Sequence, residues 1–352
     1  MKKGTERLMG LASALLAVLA VACVTVRLPE GISRNTAVAA AGFILPNGAA
    51  EEYKSLDETD DSVSSSGTQA PSSCVPPPSA SEGSSDSPSA SSVPSSETGS
   101  ARSGVEEMCI NTGGSKYENF YVKNSNQHHS VDIGAELAKQ PDVKIQKNAS
   151  PQVLIYHTHT TEAFDGVTRT TDKSKSVCAV GDQIAKQLQA AGIGVIHDTT
   201  YHDYPAYNGS YNRSIVTMQK DLKQYPSIQV TIDLHRDAMT RSDGTRLKPT
   251  AVVNGKKAAQ VMIISGCDDT GDLGFPDWEY NLRIALRIQK SMADLYPDLG
   301  RPLNFCARRY NENLTHGSLL VEIGTDANTL EEAVYGGELF GKALATTLSQ
   351  LT

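Results

Sequence analysis

The chain has 352 residues, of which 39% are hydrophobic and 6% aromatic, and its formal net charge is −8. That acidic balance excludes nucleic acid as an electrostatically favoured partner. The apolar residues are too unevenly spread for the whole length to form one packed core. The opening "MKKGTER", with Lys2, Lys3 and Arg7, reads as a cytoplasmic N-terminus over residues 1–7. An uncharged apolar stretch then runs from Leu8 to Val26 and is closed by Arg27. A spanning helix needs about 17–25 apolar residues, so residues 8–27 are predicted to be a transmembrane helix with the basic end inside. A cleaved signal peptide would have a shorter apolar core, and "AVAC" around Cys23 resembles a lipoprotein cleavage box. All three readings put the rest of the chain outside the membrane. Residues 51–104 are dominated by Ser, Pro, Gly and acid. Such a composition buries too little to offset chain entropy and predicts a disordered linker. About 50 residues of coil span on the order of 40 Å.

Residues 105–148 read as a short N-terminal extension in which only "VDIGAELAKQ" has helical character. His128 and His129 would point in different directions on a strand. In their polar context they read as ordinary solvated residues. From residue 149 to 352 the pattern sharpens. "PQVLIYH", "IGVIHD", "IQVTIDLHRD", "KAAQVMIISG" and "HGSLLVEIG" have the apolar runs of buried strands. "SVCAVGDQIAKQLQAAG", "SYNRSIVTMQKDLKQY", "WEYNLRIALRIQKSMADLY" and "NTLEEAVYGGELFGKALATTLSQL" have helical spacing, with Ser210 and Asn328 as candidate caps. Alternation of strands and helices predicts an α/β domain. Its sheet should be open and mostly parallel, with helices on both faces.

Ligands of such sheets collect beyond the carboxyl ends of the strands. The first strand runs into His157, His159 and Glu162, the third carries Asp233, His235, Arg236 and Asp237, and the fifth carries Glu322. A buried charge is costly unless it is paired or bound to metal. Catalytic zinc takes three protein ligands and leaves one position open. His159, Glu162 and His235 would supply two histidines and a carboxylate to Zn2+. Glu322 would stay free for general acid–base work.

Four stretches in order, "VLIYHTHTTEAF", "GIGVIHD" with "YNGSYNRS", "TIDLHRDA" and "GSLLVEIGTDANTLEEA", resemble the stage II sporulation protein P family. The resemblance covers roughly residues 151–351. That family is similar to the zinc-dependent N-acetylmuramoyl-L-alanine amidases. The resemblance implies one zinc and a peptidoglycan substrate cut between the muramic lactyl group and L-alanine. Cleavage of peptide cross-links is also implied. It further implies a role in forespore engulfment, with the stage II sporulation proteins D and M as partners. Residue by residue it places His159, His235 and Glu322 in the family's pattern. The zinc glutamate of typical amidases lies farther along, near the start of the following helix. The nearest carboxylates here are Glu162, Asp165 and Asp172, of which Glu162 is the choice, with His157 as the alternative ligand. Arg236 could pair with a stem-peptide carboxylate, or with Asp233 or Asp237.

Six cysteines show no CxxC spacing. Cys178, on an apolar helix face, and Cys267, at a strand end, read as buried free thiols. Two other classes compete with an amidase. A metallo-β-lactamase-like hydrolase would want a further histidine next to an aspartate, which "HTHTTEAF" lacks. A non-catalytic wall-binding module would need no metal.

Overall fold

The structure is a computed structural model that describes residues 104–352 apart from Ala149. The predicted cytoplasmic segment, transmembrane helix and linker up to residue 103 lie outside the described residues. Among those described, no helix is long and apolar enough to cross a membrane.

The strands are β1 (Val105–Met108), β2 (Ser115–Tyr117), β3 (Phe120–Asn124), β4 (Pro151–Tyr156), β5 (Gly194–His197) and β6 (Val230–Asp237). They continue with β7 (Arg246–Val253), β8 (Lys256–Ala259), β9 (Val261–Gly266), β10 (Leu303–Cys306) and β11 (Ser318–Thr325). The helices are α1 (Ile133–Ala138), α2 (Val177–Ala190), α3 (Ser210–Gln224), α4 (Trp278–Leu295) and α5 (Leu330–Ser349). Eight strands form the main sheet in the order β2-β3-β10-β9-β11-β6-β4-β5, and β1-β7-β8 form a small second sheet.

The main sheet is mixed. β5, β4, β6 and β11 are mutually parallel, and β9, β10 and β3 form a second parallel block. The blocks meet at the antiparallel β11–β9 pair. Carboxyl ends of the two blocks therefore emerge at opposite edges of the sheet.

Side-chain alternation explains the layers. Val153 and Ile155 of β4, Val230, Ile232 and Leu234 of β6, and Leu319, Val321 and Ile323 of β11 face one large core shared with α2, α4 and α5. Leu154 and Tyr156 face the other way, against Met218 of α3. Burial on both faces is why these strands read as unbroken apolar runs. α2 and α5 approach so closely that a Cβ at Gly337 would lie 2.6 Å from Val180 Cγ1, which requires glycine there.

The predicted strand "KAAQVMIISG" is broken at Gln260, where the chain passes from the small sheet to the main one. The corner is satisfied by the Gln260 side chain, which accepts from Ile110 N at 2.7 Å and donates to Asp298 O at 2.6 Å. Residues 105–148, read as an extension, contribute β1 to the small sheet and β2 and β3 to the main one. Both cap assignments are corrected. α3 starts after Gly209, whose φ of 78° is left-handed, and the Ser210 hydroxyl donates back to Tyr207 O. α5 is capped by Thr329 in a reciprocal box with Glu332. Asn328 instead bonds Thr325 N, Pro249 O and Glu332. Cys178 and Cys267 are buried free thiols.

Candidate metal centre

β6 lies between β4 and β11, and all three run the same way. Their carboxyl-end residues therefore gather at one edge, on the face covered by α3. Alternation puts Asp233 and His235 of β6 on that face, since Val230, Ile232 and Leu234 take the other. Glu322 is the register partner of His235 on β11. The ladder register shifts between Glu322 and Thr325, and Gly324 in this bulge has φ 66°.

The segment after β4 turns sharply, with Glu162 N donating to His159 O at 3.2 Å. This brings His159 Nδ1 to 3.3 Å from Glu162 Oε1, and His235 Nδ1 lies 3.4 Å from Glu162 Oε2. One donor atom from each of His159, Glu162 and His235 lies within 4.8 Å of the others. The three residues are only 8%, 7% and 3% exposed.

Glu162 is followed by a long excursion that returns to it: its carbonyl accepts from Val177 N, the first residue of α2, at 3.0 Å. A glutamate close to His159 in sequence thus also stands at the start of the following helix in space. The other two nearby carboxylates are occupied elsewhere. Asp165 accepts from Leu330 N at the start of α5, and Asp172 caps a short 3-10 turn through Ser174 N.

His157 points away from this cluster. Its Nδ1 lies 2.8 Å from Leu234 O and its Nε2 lies 2.8 Å from His197 Nε2. Burial, together with His197, pushes it down to about 3, so it stays neutral. The chain leaves the strand at Tyr156, so the two-residue periodicity that would align His157 with His159 no longer holds.

The guanidinium of Arg236, expected to meet a substrate carboxylate or a neighbouring aspartate, lies against backbone carbonyls rather than the Asp233 or Asp237 carboxylate. Its guanidinium donates to Ala163 O at 3.0 Å and Thr168 O at 2.6 Å, and its backbone N donates to Glu162 Oε2 at 3.0 Å. It clamps the loop that carries Glu162. The residue is 6% exposed, and a buried guanidinium must satisfy its donors on whatever acceptors surround it, here carbonyls.

The electrostatics favour positive charge beside Glu162 and Asp233. Burial alone would raise Glu162, but His235, His159 and Arg236 outweigh it and hold the carboxyl well below its usual range. Burial alone would lower His235, yet Asp233 and Glu162 hold it well above an ordinary histidine. The site thus collects positive charge against two buried carboxylates. A buried atom, Glu322 Oε2, has no hydrogen-bond partner. Burial, reinforced by Asp237 and opposed by His235, pushes the Glu322 carboxyl up to about 8. Two imidazoles, one carboxylate and a free neighbouring carboxyl fit a zinc-class cation with an open position.

Several contributors were not assigned roles by sequence reasoning. Asp233 Oδ1 lies 2.9 Å from His235 Nε2 and is itself fixed by Thr158 N at 2.7 Å and Thr158 Oγ1 at 2.6 Å. Tyr207 stacks on His159 with ring centroids 4.5 Å apart, and Tyr211 meets it edge-on at 5.8 Å. Arg169 lies over the other part of this layer, 5.0 Å from the Tyr207 ring. Arg301 pairs with Asp237 at 2.8 Å beside Glu322. The D-x-H step of β6 was a readable signal for Asp233, because such residues share a strand face. The two tyrosines lie in the family-like stretch "YNGSYNRS" but carried no signal of a role, and nothing marked Arg301.

The model of the stage II sporulation protein P (SpoIIP) family matches residues 77–345. The chain is 30% identical over 200 residues to the stage II sporulation protein P of Bacillus subtilis (strain 168), covering 51% of this chain and 47% of that protein. It therefore spans about half the length of that curated relative. Similar solved structures include the N-acetylmuramoyl-L-alanine amidase AmiC2 of Nostoc punctiforme, at 13% identity over 58% of this chain and 97% of that chain, with a TM-score of 0.32. The CwlD amidase from Clostridioides difficile, in complex with the GerS lipoprotein, matches at 13% identity over 57% and 98%, with a TM-score of 0.34. The N-acetylmuramyl-L-alanine amidase Ami1 from Mycobacterium smegmatis matches at 12% over 58% and 99%, also with 0.34.

Proposed function

The chain belongs to the stage II sporulation protein P family, and from that premise we propose that it is a zinc-dependent N-acetylmuramoyl-L-alanine amidase, removing stem peptides from peptidoglycan during sporulation. The observation that carries this reading is the buried His159–Glu162–His235 cluster with Glu322 across the strand ladder from His235. His159, Glu162 and His235 would hold the cation. When bound, it supplies Lewis-acid polarisation of the scissile carbonyl and a lowered pKa for water.

The chain's own residues supply the rest. Glu322 takes a proton from the attacking water and delivers it to the departing L-alanine nitrogen. A carboxyl raised by burial is matched to such work near neutral pH. Asp233 and the Thr158 donors behind it keep the His235 ring in one orientation. Arg236 keeps Glu162 in place by tying down its loop. Tyr207 shields His159 and presents a half-exposed aromatic face beside the site. Membrane anchoring through residues 8–27, action in engulfment, and partnership with the stage II sporulation proteins D and M are part of the same proposal. Cleavage of peptide cross-links at the same centre belongs to the proposal as well.

The test is digestion of purified peptidoglycan by the full-length chain, with fragments read by mass spectrometry. Free stem peptides that begin with L-alanine are expected. They should vanish with a chelator and with Glu322→Gln. Intact glycan–peptide linkages after digestion by the metal-loaded protein would overturn the assignment.

A further inference from the structure

The opposite edge of the main sheet carries a second constellation. β3 and β9 run the same way on either side of β10, so the loops that follow them leave the sheet side by side. One loop carries Asn126, His128 and His129. The other carries Cys267, Asp268 and Asp269. A ring nitrogen of His129, the Cys267 sulfur and an Asp269 oxygen lie within 4.8 Å of one another. Cys267 is fully buried. Because β9 is antiparallel to β11, this cluster is remote from the first centre. Met262 pairs with Glu322, and Cys267 lies five residues farther along the chain, roughly 17 Å at strand rise.

The three side chains are held in place by contacts that leave ligating capacity over. Both Asp269 oxygens accept backbone donors from the histidine-bearing loop, Gln127 N at 3.0 Å and His128 N at 2.9 Å. The His128 ring nitrogen, 3.2 Å from Oδ2, is a third contact, so of a carboxylate's roughly four lone-pair sites one remains for a cation. His129 Nε2 lies 3.1 Å from the Asp268 carbonyl oxygen, and its ring packs against Trp278 with centroids 4.7 Å apart. An imidazole fixed through one nitrogen to a carbonyl is the usual arrangement of a metal-binding histidine. Beside Cys267, whose sulfur is 3.1 Å from Asn126 Oδ1, the buried Asn126 Nδ2 has no hydrogen-bond partner.

We infer that His129, Cys267 and Asp269 form a second metal site, for a zinc-class cation held by one thiolate, one imidazole and one carboxylate. Thiolate and imidazole together select borderline-soft cations over magnesium or calcium. Bond lengths of about 2.0–2.3 Å put tetrahedral donors roughly 3.3–3.8 Å apart, so small side-chain rotations complete the set. As the metal–sulfur bond forms, the Cys267 thiol proton is released to solvent. The site joins the loop after β3 to the loop after β9. It would therefore add a link between β3 and β9, which β10 separates in the main sheet. The fourth position is open to water or to His128, whose Nδ1 is 3.2 Å from Asp269 Oδ2.

Cobalt(II) distinguishes this site from the first, because only the second offers sulfur. Metal-free full-length protein titrated with cobalt(II) should bind two equivalents and develop a near-ultraviolet thiolate-to-cobalt charge-transfer band. Cys267→Ser should abolish that band and remove one equivalent. His159→Ala should leave the band in place. Asp269→Asn, which keeps the shape of the residue, should weaken cobalt binding at the band at least tenfold and serves if the serine variant fails to fold. Saturation at one equivalent without the band, or a band that survives Cys267→Ser, would overturn the inference.

Discussion

Asp233 Oδ1 lies 2.9 Å from Nε2 of His235, two residues farther along the same strand. The other ring nitrogen of His235 faces Glu162. A carboxylate behind a ligating histidine fixes the ring and raises its basicity, and its loss typically costs 10–100-fold in metal affinity. Asp233→Asn is therefore expected to weaken zinc binding by about that factor, measured by competition with a chromogenic chelator. Unchanged affinity would show that Glu162 and packing hold the ring without the Asp233 carboxylate.

The ligand set can be separated from its neighbours by metal content. His159→Ala, Glu162→Ala and His235→Ala should each lose bound zinc, measured by elemental analysis after dialysis. His157→Ala should retain it, because His157 is held by Leu234 O and His197 rather than by the cluster. Zinc loss in His157→Ala with retention in Glu162→Ala would reverse the assignment of the third ligand.

Glu322 is the residue whose change should silence chemistry and spare the metal. General acid–base groups contribute typically 10²–10⁴-fold. Glu322→Gln should lower kcat for peptidoglycan by about that range while zinc content stays that of the unmodified protein. A variant that keeps most of its kcat would remove Glu322 from the mechanism.

Glu312 offers a pH test. It is 2% exposed, its Oε2 accepts from Gly266 N at 2.8 Å, and burial pushes its carboxyl well above the usual range. Unfolded, it would titrate near its ordinary value of about 4.3. Between that pH and its raised folded value the unfolded chain gives up a proton that the folded chain keeps. Stability is therefore fully present below about pH 4 and falls as pH rises, by at most about 1.4 kcal/mol per unit. Glu312→Gln keeps the acceptor and removes the titration. Urea midpoints of the two proteins should agree at pH 4 and diverge in favour of the variant by pH 8. Parallel curves would show that the folded protein does not hold this proton.

The cap of α5 is a local test. Thr329→Ala should destabilise the fold by about 1 kcal/mol, because it leaves Glu332 N without its acceptor. Asn328→Ala should act through Thr325 N and Pro249 O instead, loosening the turn after β11 rather than the helix start. Hydrogen exchange at the two sets of amides separates them.

What sequence alone determined follows from periodicity and from the cost of burying charge. The long helices were legible from their apolar spacing, and the doubly buried strands β4, β6 and β11 from short apolar runs rich in β-branched residues and bounded by polar ones. His159, Glu162, His235 and Glu322 stood out because charged and imidazole groups do not sit at the ends of buried strands without a reason. Short strands such as β2 and β10 were not legible, since three or four residues carry too little period.

Only tertiary structure decided the rest, because those relations join residues far apart in the chain. The reversal between β11 and β9 divides the sheet into two parallel blocks and gives it two chemically distinct edges. The return of the chain to Val177 N sets Glu162 at the start of α2, while His157, two residues from His159, turns to His197. The pairing of β3 with β10 carries His129 to Cys267, across 138 positions of sequence that no local pattern spans.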